Sequence, residues 1–216
     1  MPLDKKSMMK AIEEVKEKTK ERNFVQSLEL VLNLKDIDIK SPEGRIRERI
    51  ELPHSTAKKS NKICIIATGE LALKAKKSKA NLVIGRDDLN ALAGKKKDLR
   101  EIANGYDFFL AEAPLMPLVG KILGSALGPR GKMPVPLPPS ADVGEIMNRY
   151  RKMVSVRMRN QPILQCRIGT EDMKEEQIAE NIQAVIRAIE RKLKRGMKNI
   201  KSIYIKTSMG PSVKVL

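Results

Sequence analysis

"FVQSLELVLNL", residues 24–34, decides how this chain is read. Phe24, Leu28, Leu30, Leu32 and Leu34 share one side of a period of two, and Ser27, Glu29, Asn33 and Lys35 share the other. Successive side chains of a strand point to opposite faces, so the pattern predicts a strand buried on one side only, with a polar face left for a partner. A second run of this kind, "IKSIYIKTS", residues 200–208, places Ile203 and Ile205 inward and Ser202, Tyr204, Lys206 and Ser208 outward. Two half-buried strands thus stand at the two ends of the chain.

Working outward from the first strand, Met8, Ile12, Val15 and Thr19 recur at helical spacing behind Asp4, a residue suited to capping. After "SPEG", a turn signal, "RIRERIEL" sets Ile46, Ile50 and Leu52 at core positions, with Arg45, Arg47 and Arg49 lining one side. Towards the other end, "VSVRMRN" and "ILQCRIG" flank Asn160-Gln161-Pro162. Ile178, Ile182, Val185, Ile186, Ile189 and Leu193 then form the apolar stripe of a helix expected to stop at Gly196.

The middle has another rhythm. "ICIIAT", "NLVIG" and "YDFFLAEA" are short, nearly continuous apolar runs, separated by the lysine-rich helical stretches "GELALKAKKSKA" and "DDLNALAGKKKDLREIANG". This is the pattern of a parallel sheet with crossover helices. A further helical piece, "APLMPLVGKILGSALG", leads into "PRGKMPVPLPPS", where proline density argues against regular structure, and then into the helical "DVGEIMNRYRKM". The expected fold class is α/β in two domains. Residues 1–60 and 156–216 form a discontinuous α+β domain with a half-exposed antiparallel-type sheet, and residues 61–155 an inserted Rossmann-like parallel α/β domain. Linkers near 60 and 155 would act as a hinge.

Lys plus Arg number 43 against 26 Asp plus Glu, a formal charge of +17, and the excess is spread along the chain. Such a balance favours polyanionic partners, nucleic acid before membrane. No apolar run approaches a membrane span, and the N-terminus has no secretory-type apolar stretch, so the expected location is the cytoplasm, with no membrane partner. Cys64 and Cys166 sit in apolar runs and read as small buried hydrophobes, and the single histidine, His54, offers no metal site. No paired catalytic carboxylates or nucleophilic triad can be found, and neither an enzyme nor a cofactor is expected. "GPRGK" at 128–132 misses a phosphate loop twice: Ala126 stands where glycine is needed and Met133 where a hydroxyl is needed.

The polar strand faces remain as the candidate interface. Ser202, Ser208, Glu29, Arg47 and Arg49 combine hydroxyls, a carboxylate and guanidinium forks able to meet ribose hydroxyls, base edges and phosphates. The closing "KTSMGPS" adds Lys206, Thr207, Met209 as a soft apolar contact, and Gly210 as a bare backbone that RNA could approach, with Pro211 holding the turn. Arg157, Arg159 and Arg167 join on charge and strand position. With three Phe, three Tyr and no Trp, stacking on a single strand is disfavoured, and recognition of folded RNA fits better.

"NFVQSLELVLNL", "RERIELPHSTAKKSNKI", "GSALGPRGKMP" and "TSMGPSV" together resemble the large-ribosomal-subunit protein one family, the protein of the mobile side stalk, over essentially the whole chain. The chain looks like the prokaryotic form, more archaeal than bacterial. The resemblance implies a main RNA site on the discontinuous domain, with contacts at Phe24, Glu29, Ser202, Ser208, Met209 and Gly210, and an inserted domain that swings about its linkers. It implies a protein that is monomeric when free. Its partners would be the ribosome, the stalk region of large-subunit ribosomal RNA, deacylated transfer RNA at the exit site, and its own messenger RNA, whose translation it represses. Asn23 stands where a basic residue is often found before the first-strand phenylalanine, a departure from the family pattern that bears on a phosphate contact at that point. The rival reading is a nonspecific basic RNA-binding protein or chaperone.

Overall fold

A computed structural model describes residues 4–39, 41, 44, 46–55, 60–139 and 142–215. Arg45 and part of the "SPEG" turn lie outside the described residues. The chain divides into two compact units, Met1–Lys58 with Lys152–Leu216, and Lys59–Arg151. No helix among the described residues is long and apolar enough to cross a membrane.

The first unit is built on a four-stranded sheet of β1 (Ser27–Leu34), β8 (Ile163–Thr170), β9 (Ile200–Thr207) and β10 (Ser212–Lys214), in the order β10-β9-β1-β8. All its pairings are antiparallel. The two strands recognised by their period of two are therefore direct neighbours at its centre. Leu28, Leu30, Leu32 and Leu34 of β1 and Ile203 and Ile205 of β9 are buried. They form one core with Met8, Ala11, Ile12 and Val15 of α1 (Lys5–Glu17) and with Ile178, Ile182, Val185, Ile186 and Ile189 of α7 (Glu175–Glu190). Asp4 caps α1, its side chain accepting from the Lys6 N–H at 3.4 Å. Helix α7 ends at Glu190, earlier than Gly196, because the chain closes there in short turns before a 3-10 turn over Gly196–Asn199. A two-stranded antiparallel ribbon, β2 (Arg47–Glu51) with β7 (Met153–Arg157), sends Ile50, Val154 and Val156 into the same core.

One expectation fails here for a local reason. Phe24 does not join the leucine stripe, since the strand starts only at Ser27 and the Phe24 side chain is 53% exposed.

The second unit is a parallel sheet of β3 (Ile63–Ile66), β4 (Leu82–Ile84), β5 (Phe108–Glu112) and β6 (Val135–Leu137), in the order β4-β3-β5-β6. Both faces are covered, which is why its strands read as continuous apolar runs. Cys64 and Ile66 point into one core with Leu89 of α3 (Arg86–Ala91), Leu99 of α4 (Lys96–Gly105) and Leu123 of α5 (Met116–Arg130). Ile63 and Ile65 point into the other, with Leu71 of α2 (Gly69–Lys77) and Met147 of α6 (Val143–Lys152).

The single helical stretch expected over 87–105 is two helices, broken around Gly94, whose φ is 82°. The proline-rich segment also holds more structure than expected. Pro129 lies in the last turn of α5, and Val135–Leu137 pairs with β5 as an edge strand. An edge position tolerates Pro136 because only one side of the strand needs backbone donors.

Candidate nucleic-acid interface

Strand register sets the composition of the exposed sheet face. Across it, Ser212, Lys206, Glu29 and Arg167 stand in one row, Lys214, Tyr204, Val31 and Gln165 in the next, and Ser202, Asn33 and Ile163 in a third. Six strand positions expected to face outward, Glu29, Arg167, Ser202, Asn33, Tyr204 and Lys206, are thus brought together on one surface. Val31 and Gln165 belong to it as well. Asn33 Nδ2 donates to Ser202 Oγ at 2.9 Å, a bond that fixes both side chains and leaves Ser202 only 7% exposed.

The chain's final turn is the hairpin between β9 and β10. It docks on the start of β1: the Ser208 N–H donates to Ser27 O at 3.0 Å and the Met209 N–H to Gln26 Oε1 at 3.2 Å. The Ser208 hydroxyl reaches Ser27 O and Glu29 Oε1 through long bonds of 3.4 Å. With its backbone held in this way, Met209 is 63% exposed. Phe24, also exposed, precedes by two residues the Gln26 whose side chain accepts from the Met209 N–H, so two large apolar side chains stand in water on segments that meet at the start of β1.

At Gly210 the fold imposes a constraint that the sequence does not signal. A Cβ there would overlap Thr207 Oγ1 and stand 2.9 Å from Thr19 Oγ1, so the absent side chain faces inward. Thr207 is fully buried and its hydroxyl is 3.0 Å from that of Thr19, which sets it behind the turn instead of on its outer surface. Glycine is required at 210 for the hairpin to close on this pair. A bulky substitution at that position would therefore disturb the fold together with any surface it presents.

A second basic group lies on the ribbon. Arg47 is directly paired with Arg157, and Arg49 with Ser155. Partial burial, followed by the charges of Arg49 and Arg157, pulls the Arg47 guanidinium below its ordinary range. Cations gathered at this spacing repel one another, and an incoming anion would relieve the repulsion. Beside them, Ser155, Arg157, Arg159, Asn160, Gln161, Ile163 and Gln165 line a shallow depression of about 570 Å³.

The second unit offers the crevice where doubly wound sheets take nucleotides, outside the carboxyl ends of the strands where their order reverses, here between β3 and β5. That position is filled by the protein itself. Glu112 Oε2 accepts from the Thr68 N–H at 3.0 Å and the Thr68 hydroxyl at 2.9 Å, placing a carboxylate at the start of α2, where a phosphate would otherwise sit. The remains of "GPRGK" are also structural. Lys132 Nζ donates to Ala103 O at 2.9 Å and Tyr106 O at 2.6 Å, closing the C-terminal end of α4, and burial holds its pKa below the ordinary lysine value. No cluster of three or more His, Cys, Asp or Glu that could hold a metal occurs among the described residues.

Residues 15–211 match the model of the Ribosomal protein L1p/L10e family. The chain belongs to that family. It is 48% identical over 217 residues to the large ribosomal subunit protein uL1 of Staphylothermus marinus, covering all of both chains. It is 46% identical over 209 residues to the protein of the same name from Methanothermobacter thermautotrophicus, covering 97% of this chain and 98% of the relative. The uL1 of Thermococcus kodakarensis is 44% identical over 216 residues, covering 100% and 99%. These are archaeal relatives of full length, and the two-unit fold described above is the one the family resemblance led us to expect.

Proposed function

We propose that the chain binds large-subunit ribosomal RNA through the exposed face of the four-stranded sheet and its closing hairpin, and so works on the ribosome, in the cytoplasm. The observation that carries this reading is the exposure of Phe24 and Met209 around the hairpin anchored on Gln26 and Ser27, at one end of a face bearing Glu29, Lys206, Arg167 and Ser202. Apolar side chains in water beside hydroxyls, a carboxylate and cations suit the ribose edges and phosphates of folded RNA. Arg47, Arg49, Arg157 and Arg159 extend that face with phosphate contacts. The names of the relatives, all large ribosomal subunit proteins, support the same partner.

On this reading the protein forms the mobile side stalk, assists release of deacylated transfer RNA from the exit site, and acts without catalytic chemistry. Linkers near residues 60 and 155 are the proposed hinge. A similar fold in its own messenger RNA would be bound more weakly than the ribosomal site, so repression sets in once protein exceeds free ribosomal RNA.

The test compares a stalk-region ribosomal RNA fragment with an unrelated structured RNA, from low to physiological salt, using the wild type and Met209→Ala. A preference of ~10³ or more that survives salt and falls in the variant supports specific recognition. Equal binding of both RNAs with steep salt sensitivity would leave a nonspecific basic RNA-binding protein.

A further inference from the structure

We infer that the second unit carries its own contact for the sugar-phosphate backbone of RNA, in the basic groove between α4 and α5. Lys96, Leu99 and Arg100 of α4 and Ser125, Ala126 and Arg130 of α5 line a depression of about 530 Å³. Its floor is apolar, with Leu99 and Ala126 buried, while Lys96, Arg100 and Ser125 are exposed around it. Three cations and a hydroxyl therefore surround one recess, and no carboxylate among the described residues lines it.

The arrangement follows from the helices. Lys96 and Arg100 are four residues apart and share a face of α4, whereas Asp98 and Glu101 fall elsewhere around that helix. Arg130 is held in position from within: its Nε donates to Asn104 Oδ1 at 2.8 Å and one terminal nitrogen to Ala126 O at 2.9 Å. A guanidinium has five N–H donors, so this anchoring orients the fork without exhausting it. An oriented arginine beside a second arginine and a lysine is the chemistry that grips phosphate oxygens, and Ser125 adds a neutral donor.

Three cations around one recess attract a polyanion, and no acidic side chain among the described lining residues opposes it. The inference rests on the RNA-binding reading of the first unit, and it assigns to the second unit contacts that set affinity and salt dependence without reading sequence.

Full-length protein and the stalk-region ribosomal RNA fragment provide the test, with three variants: Lys96→Gln with Arg100→Gln, Lys76→Gln with Lys77→Gln, and Met209→Ala. The second pair makes the same charge change on α2, which packs on the other face of the same sheet. We expect the groove pair to weaken binding ~tenfold at low salt and to flatten the slope of log affinity against log salt by roughly 1.4 to 1.8, as for two lost phosphate contacts, with the α2 pair within about twofold of wild type. Equal losses in both pairs would mean general attraction and overturn the groove. An unchanged groove pair beside a weakened Met209→Ala would overturn the groove while leaving the sheet-face reading intact, including if the groove pair instead lost a crosslink to an acidic protein in the assembled subunit. Wild type that does not distinguish the stalk fragment from an unrelated RNA, with Met209→Ala unchanged, would remove both.

Discussion

Thr19 Oγ1 and Thr207 Oγ1 stand 3.0 Å apart directly beneath Gly210, joining the end of α1 to the end of β9. The bridge explains why the hairpin that presents Met209 is ordered by contacts below it as well as by its backbone bonds to β1.

Gly210→Val should therefore act first on folding. A side chain forced against the hydroxyls of buried Thr207 and partly buried Thr19 is an overpacking change, with an expected loss of about 1–3 kcal/mol. Thermal unfolding of the variant should show a lowered midpoint. An unchanged midpoint would contradict the inward orientation of this position.

Met209→Ala and Phe24→Ala should behave in the opposite way. Both side chains are mostly in water, so their removal should alter stability by no more than about 0.5 kcal/mol. On the proposed interface, loss of Phe24 should weaken RNA binding by about 1–3 kcal/mol, the range of an aromatic contact with a base, and loss of Met209 by about 1 kcal/mol. Filter binding and a melting curve on the same preparations check both halves of the statement.

Asn181 is fully buried on α7, where its Nδ2 donates to His54 O at 3.0 Å and Ile168 O at 2.8 Å and its Oδ1 accepts from the His54 N–H at 2.9 Å. Asn181→Leu leaves these backbone groups without partners, at a cost of about 2–4 kcal/mol. The measurement is the denaturant midpoint, and a shift no larger than that of a surface change would refute the assignment.

Acid should weaken the first unit through two carboxylates of α7. Hydrogen bonds from Lys16 hold Glu175, and hydrogen bonds from His54 and then Lys5 hold Glu180, below the usual carboxylate range. A carboxyl whose pKa is depressed by folding contributes stability above its unfolded pKa of about 4.3, and that contribution is lost as pH falls through the lower folded value. Glu175→Gln combined with Glu180→Gln should thus lessen the decline of stability between neutral pH and that acid region. A decline identical to wild type would argue against both contacts.

Burial pushes the thiols of Cys64 and Cys166 up to about 12. At mildly alkaline pH neither should react with a thiol reagent in the native protein, and both should react after denaturation.

Much of this molecule was legible because its two units bury their sheets differently. One covered face produced alternation in β1 and β9, and two covered faces produced the continuous runs of β3 and β5. The polar row of Glu29, Lys206 and Arg167 could be anticipated in its members but not in its alignment, which depends on the register across three strands. Phe24 misled because a period of two carries no mark of where pairing begins. The inward constraint at Gly210 was not legible because a residue without a side chain gives no sign of the direction in which that side chain would have pointed, and Thr19 is far from it in sequence. Edge strand β6 was hidden by Pro136, a residue whose tolerance depends on having only one neighbour. The groove of Lys96, Arg100 and Arg130 gave no warning, since its two walls belong to separate helices and their lysines read as ordinary solvated residues.

The strand order β10-β9-β1-β8 also governs timing. During synthesis, all of residues 59–151 emerges before β9 exists, so the inserted unit can fold while the unit that surrounds it is still lacking a central strand. At synthesis rates of about 5–20 residues per second, several seconds separate the last residue of the inner unit from Thr207. Until then β1 has no partner on one side and the closing hairpin has nothing to close. An unfinished chain would thus lack the completed face on which the proposed interface depends.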